Sequence, residues 1–209
     1  TNEAWKYSSN WQAFFYEGTS WQYSLAIPHD VPGMSEMCGG PEAFRKRLDT
    51  FFDHGYYDVT NQPSFIIPCL YHWIGRPDLT GERITDILER HFNDGYEGLP
   101  GNDDSGSMSC WMNFHLMGLY TFAGQDLYLI HTPVIPSTVL HLEDGDFTIR
   151  AEGLSKKNKY IVSASLNGID YPYSSLRHRD IVSGGELVLK MGSKPGIWGR
   201  EMLPPPRDF

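Results

Sequence analysis

Three polar loops hold the side chains best suited to chemistry. The first is Tyr16-Glu17-Gly18-Thr19-Ser20-Trp21-Gln22-Tyr23, followed by Pro28-His29-Asp30. The second is Asn61-Gln62-Pro63-Ser64. The third is Leu99-Pro100-Gly101-Asn102-Asp103-Asp104-Ser105-Gly106-Ser107-Met108-Ser109. Adjacent carboxylates disfavour double ionisation, which suits Asp103 and Asp104 to base chemistry or to an oxygen-rich metal site. The same spacing also suits a plain helix cap at Asp104 or Ser105. An aromatic pocket made by Tyr16 and Trp21 would favour the acid form of the Glu17 carboxyl, as a general acid needs; the alternative is a surface carboxylate. Two carboxylates across a sugar ring are the glycosidase arrangement, but spacing alone does not specify that reaction. His29 beside Asp30 suits a ligand, a base or a structural hydrogen-bonder, and the structural role is the commoner one. There is no Gly-rich phosphate loop after a strand, no His-Glu-x-x-His and no Gly-x-Ser-x-Gly.

The elements that must position these loops fall into two kinds. Up to about residue 122 the apolar pattern is helical. A helix is expected from Pro41, a good first-turn residue, to Phe52. Gln62 to Trp73 reads as an inner helix, apolar all round. Thr80 to Phe92 reads as an outer one, with Ile84, Ile87, Leu88 and Phe92 on one stripe. Ser105 to Leu119 is again largely apolar. Alternating inner and outer helices suggest a toroid of helical hairpins. From Leu127 the period becomes two, with strands expected at Leu127–Ile130, Val139–Leu142, Phe147–Arg150, Ile161–Leu166 and Leu187–Lys190. Asp144-Gly145 and Asn167-Gly168 supply turns, and Leu203 to Pro206 reads as an extended tail. The division is thus residues 1–124, helical, and residues 125–209, antiparallel β.

Bulk properties narrow the partners. With a net charge of −9 over 209 residues, the chain lacks the basic face that nucleic acid or an anionic membrane surface demands. No apolar run is long enough to span a membrane. Aromatic residues make up 14 %; such rings stack on sugars, but core packing is the simpler account. Cys38, Cys69 and Cys110 are odd in number and fit no zinc spacing, so they read as buried thiols. No signal peptide opens the chain at Thr1, and a processed, secreted protein is expected.

In their order and wording the loops resemble family 92 of the glycoside hydrolases, the exo-acting α-mannosidases. Residues Glu17 to Tyr23, with Pro28-His29-Asp30-Val31, are similar to that family's E-G-N-x-W-Q-Y…P-H-D-V. Asn61-Gln62-Pro63-Ser64 is similar to N-E-P-S/G, and Pro68-Cys69-Leu70-Tyr71 follows it. Leu99 to Ser109 is similar to L-x-G-N-E/D-D-x-G-Q-M-S. The resemblance implies a partial (α/α) six-hairpin toroid followed by an antiparallel sheet or sandwich, an α+β chain. It implies hydrolysis of terminal α-linked mannose from glycans by single displacement with inversion, assisted by Ca2+. Glu17 stands at the acid and Asp104 at the base, with Asn102 at an assisting carboxylate position and Asp103 between them. Trp21, Gln22, His29 and Asp30 stand in the substrate-binding motif, and Asn61, Gln62 and Asp104 near the calcium. Gln62 departs from the family's Glu at a calcium position, Thr19 and Leu25 from its Asn and Trp around the acid loop, and Ser107 from its Gln. Family members are much longer, so completion of the toroid by a partner chain or by self-association is implied. A mannose-binding lectin that lost hydrolysis is the second reading.

Overall fold

The structure, a computed structural model, describes residues 15–122 and 124–205. Pro206 of the expected tail lies outside them. The helical part contains α1 (Ser20–Tyr23), α2 (Val31–Met37), α3 (Pro41–Asp53), α4 (Pro77–His91) and α5 (Ser107–Met117). Helix α3 starts as expected, with Pro41 in its first turn and Glu42 complementing the dipole. It buries Phe44, Leu48 and Phe51, spaced to share one face. Helix α4 buries Thr80, Ile84, Ile87 and Leu88, and it ends on Arg90 and His91 at the negative pole of its dipole. It begins at Pro77, earlier than the apolar stripe alone suggests.

The inner helix expected over Gln62 to Trp73 is instead two 3-10 segments, Gln62–Ser64 and Ile67–Ile74. Pro63 and Pro68 are the physical reason. Each lacks the N–H of a regular helix, and Pro68 would stand inside the expected one. Burial was anticipated correctly, since Ile67 through Trp73 are all buried. Helix α5 begins at Ser107 rather than Ser105, and it stops at Met117 on left-handed Gly118. Leu119 therefore opens a strand instead of closing a helix.

Three antiparallel strands link the two parts: β1 (Leu119–Thr121), β2 (Tyr128–Ile130) and β7 (Ser175–Leu176), in the order β1-β2-β7. The larger sheet has the order β3-β4-β8-β5-β6, with β3 Ser137–Leu142, β4 Gly145–Glu152, β5 Tyr160–Leu166, β6 Ile169–Asp170 and β8 Gly185–Gly192. The expectation of a purely antiparallel unit fails at one pair, because β4 and β8 run parallel. After β6 the chain leaves this sheet to form β7 in the other, turns through α6 (His178–Val182) and re-enters between β4 and β5. That long crossover satisfies the steric need of parallel pairing. Strand β8 then buries Leu187, Leu189 and Met191 against Phe147, Ile149 and Ile161. The Asn167-Gly168 turn has positive φ at both residues, as a tight hairpin needs. Of the cysteines only Cys69 is buried; Cys38 is half-buried and Cys110 exposed.

Three fully buried histidines tie the helices to the small sheet. His72 Nε2 lies 2.9 Å from the Ile130 carbonyl, and the Thr80 hydroxyl lies 3.1 Å from His72 Nδ1. His131 Nδ1 is 3.0 Å from the Thr132 carbonyl, and His115 Nδ1 is 2.8 Å from His131 Nε2. A carbonyl can only accept, so His131 Nδ1 carries a proton and its Nε2 accepts from His115. His115 Nε2 is then bare, buried and without a hydrogen-bond partner. Burial holds all three neutral and pulls their pKa values down, to about 4 for His72.

Acid should therefore destabilise the fold. The unfolded chain takes up protons at histidine's ordinary value of about 6.5, while folded His72 stays neutral to about 4. Stability is complete above about 6.5 and falls with pH down to about 4, by about 1.4 kcal/mol per pH unit for each buried histidine. Chemical denaturation at several pH values between 7 and 4 measures this slope. A flat profile would show that these rings are not buried neutral.

Candidate active site

The first loop is closed by its own side chains. Thr19 caps α1, accepting from the Gln22 N–H, while Gln22 Oε1 accepts from the Thr19 N–H at 2.5 Å. This reciprocal capping box is legible in Thr19-x-x-Gln22. The Tyr23 hydroxyl donates to the Tyr16 carbonyl at 2.5 Å, drawing the turn around Glu17 shut. Glu17 has φ +56, a left-handed conformation rare for a residue with a side chain. Its carboxylate is half-buried and makes no hydrogen bond to any described residue, so it is free to meet a ligand.

Gln22 joins this loop to the second. It is buried, and its Nε2 donates to Ser64 Oγ at 2.6 Å. Ser64 ends the 3-10 turn that Gln62 begins, with Asn61 before it. The Asn61 side chain makes no capping bond. Gln62 then reaches the third loop, where its Nε2 lies 2.5 Å from Asp104 Oδ2 and 3.2 Å from Ser107 Oγ. Gly101 brings the second and third loops together. A Cβ there would stand 2.5 Å from the Thr60 carbonyl oxygen.

The two aspartates divide their work. Asp103 anchors the loop, its carboxylate accepting from the Ser109 N–H and hydroxyl, both at 2.7 Å. These bonds hold its pKa below the usual carboxylate range. Its carbonyl accepts from Ser107 Oγ at 3.1 Å. The expected cap at Asp104 or Ser105 is absent, since the N-cap of α5 is Gly106, which has no side chain to accept with. Asp104, Ser105 and Gly106 instead have φ +43, +61 and +85, three left-handed residues in succession. This turn leaves the Asp104 carboxylate exposed beside Gln62. Asn102 is exposed next to Asp103.

Glu17, Gln22, Asn61, Gln62, Asn102, Asp103 and Asp104 thus belong to three loops joined by one path of hydrogen bonds. Trp21 does not enclose Glu17 as expected. Its ring stacks on Tyr56 at 4.8 Å and packs against Phe51, with the Arg47 guanidinium 4.8 Å from its centre. Asp30 accepts from the Gly33 N–H at 2.8 Å and caps α2, and His29 is exposed beside it. Ser64, Ser107 and Ser109 lie in the loops singled out from the sequence, but their hydrogen-bonding roles do not follow from it. The signal for Ser107 and Ser109 is their closeness to Asp103 at the start of a helix.

The oxygen-bearing set Asn61, Gln62 and Asp104 does not fit a calcium ion as arranged. Gln62 turns N–H donors toward Asp104, where a cation needs lone pairs. Among the described residues no three or more His, Cys, Asp or Glu cluster to hold a metal.

Comparison with known proteins gives this geometry its context. The model of the glycosyl hydrolase family 92 catalytic domain matches residues 1–193. A curated relative described as an uncharacterized secreted glycosidase, from Arthroderma benhamiae, is 36 % identical over 188 residues, covering 88 % of this chain and 24 % of the relative. A family 92 α-mannosidase of Bacteroides thetaiotaomicron, solved with mannoimidazole, superposes with a TM-score of 0.84 at 31 % identity, over 90 % of this chain and 28 % of that one. A family 92 inverting mannosidase from the same organism gives 0.83 at 30 % identity, over 91 % and 30 %. The chain therefore spans under a third of the length of these relatives. It belongs to family 92 of the glycoside hydrolases.

Proposed function

We propose that the three loops are the acid-and-base part of an inverting exo-α-mannosidase that removes terminal α-linked mannose from glycans. The observation that carries this reading is the hydrogen-bond path from the Glu17 loop through Gln22, Ser64 and Gln62 to Asp104. It gathers two carboxylates, far apart in sequence, at neighbouring loops. The inverting mannosidase and the mannoimidazole complex among the solved relatives support the reaction class.

Asp104 takes a proton from a water as that water's oxygen attacks the anomeric carbon. Glu17 gives its proton to the glycosidic oxygen as the carbon–oxygen bond breaks. One bond forms on the face opposite the one lost, so the mannose leaves as the β-anomer. The reaction needs the two carboxyl groups roughly 6.5–9.5 Å apart, with room for water between them. Asp103 and Ser109 hold the base loop, and Gln22 holds the acid loop. Asn102 borders the substrate side of the base, while His29 and Asp30 shape the rim after α1. In this reading the helices form part of an (α/α) toroid completed by further chain or by a partner. An extracellular setting is supported by the relative described as secreted. No described helix is long and apolar enough to cross a membrane.

The test is mannose release from an α-mannoside by this chain, alone and with the preceding part of a family 92 relative supplied as a separate chain. Release as the β-anomer is expected, and Glu17→Gln should lower the rate about 10²- to 10⁴-fold. Binding to mannosides on a glycan array with no release in either condition would replace the enzyme by a lectin. Neither binding nor release would end both readings.

Gly101→Ala probes the junction of the second and third loops. Its methyl group would press on the Thr60 carbonyl, forcing the loops apart. Overpacking of this kind costs about 1–3 kcal/mol, and displacement of the base by about 1 Å lowers turnover about 10²-fold. Unchanged melting and turnover would show that this contact does not set the site.

A further inference from the structure

We propose that in this chain the Gln62 amide takes the place of a bound divalent cation, positioning Asp104 by hydrogen bond, so that the site does not hold Ca2+. The inference rests on the assignment of Asp104 to the site and not on turnover.

The orientation of the amide is decided by its neighbours. The Ser107 hydroxyl gives its hydrogen to the Asp103 carbonyl at 3.1 Å, so toward Gln62 it offers only lone pairs. The Asp104 carboxylate is likewise an acceptor. Gln62 Nε2 lies 2.5 Å from Asp104 Oδ2 and 3.2 Å from Ser107 Oγ, so each of its two hydrogens has a partner. Turning the amide over would set Oε1 against two acceptors and lose both bonds. For Gln62 to share a cation with Asp104 Oδ2, that reversal would be required.

Charge points the same way. The affinity of oxygen sites for calcium rises with the number of charged ligands. Here Asp104 is one carboxylate. Both Asp103 oxygens already accept a hydrogen bond from Ser109. Gln62 and Asn61 are neutral. Gln62 and Ser107, which both depart from the family's loop motifs as Thr19 and Leu25 do, are in contact. The hydroxyl at 107 supplies the acceptor that the second amide hydrogen needs. The pair forms a closed arrangement that holds Asp104 without a metal.

The experiment is calorimetric titration of Ca2+ into the whole chain, with melting followed in Ca2+ and in chelator. The wild-type chain should show no saturable binding tighter than about 10⁻³ M, the weak end of natural calcium sites. Its melting temperature should be the same in Ca2+ and in chelator. Gln62→Glu sets a second carboxylate against Asp104. It should melt lower in chelator, recover in Ca2+, and bind Ca2+ at least about tenfold more tightly than wild type, as an added charged ligand predicts. Adding Asp104→Asn to that variant should abolish the gain. Saturable wild-type binding that Asp104→Asn removes would overturn the proposal, and so would a folded Gln62→Glu chain with no added affinity. Should Gln62→Glu fail to fold, the wild-type titration decides alone. Mannose release enters none of these readouts. A chain that releases mannose and binds Ca2+ at Asp104 sinks this inference and leaves the catalytic reading standing. A chain that does neither leaves this inference standing and removes the catalytic one.

Discussion

The site depends on one buried amide. Gln22 is shielded from water, so both ends of its side chain must find partners inside the protein. Its oxygen takes the Thr19 N–H and its nitrogen takes Ser64 Oγ. The first bond shapes the turn that carries Glu17, and the second fixes that turn to the segment that carries Gln62. An apolar residue at 22 could fill the space but could join nothing. Leaving the Thr19 N–H or the Ser64 hydroxyl without its partner would cost about 1–3 kcal/mol where it is buried.

Such anchoring is needed because the carboxylates proposed to react stand in unfavourable backbone conformations. Glu17, Asp104 and Ser105 all have positive φ, and none is glycine. Each such residue costs on the order of 1–3 kcal/mol and persists only where its surroundings over-determine it. The capping box surrounds Glu17 on one side. On the other, the Asp103–Ser109 clamp and the Gln62 bond hold the ends of the left-handed run. Strain and anchors coincide at the two carboxylates proposed to move protons, and among the described residues no other loop between helices has three successive positive-φ residues.

Much of this was legible in the chain, and the remainder failed for definable reasons. Helices α3 and α4 follow from their apolar stripes and their prolines. The β-strands follow from alternation, but alternation carries no direction, so nothing at Leu187 to Lys190 announces a parallel neighbour. The inner segment was readable as buried but not as 3-10, because apolar composition dominated the pattern while Pro63 and Pro68 decided the geometry. At the site, the three loops could be read as chemistry-bearing and Thr19-x-x-Gln22 as a capping box. The division of labour between Asp103 and Asp104 could not, since adjacent identical residues differ only in the φ that folding imposes. The stacking of Trp21 on Tyr56 could not be read either, since sequence proximity says nothing of which way a ring turns.

Helix α5 connects these two levels of organisation. Its N-terminal turn carries Ser107 and Ser109, which hold the base loop through Asp103. Near its other end His115 reaches His131, and Gly118 leads into β1. Midway, Trp111 donates to the Phe65 carbonyl at 2.9 Å, just beyond the turn that ends at Ser64. One rigid helix is thus fixed to the second loop at its middle and to the small sheet at its end. Its first turn cannot shift without straining one of those contacts. Leu127 and Leu129 share the core cluster against which Trp21 of the first loop packs, and the small sheet holds the far end of the helix that follows Asp104. A buried, neutral histidine pair far from the carboxylates becomes part of what aims the base.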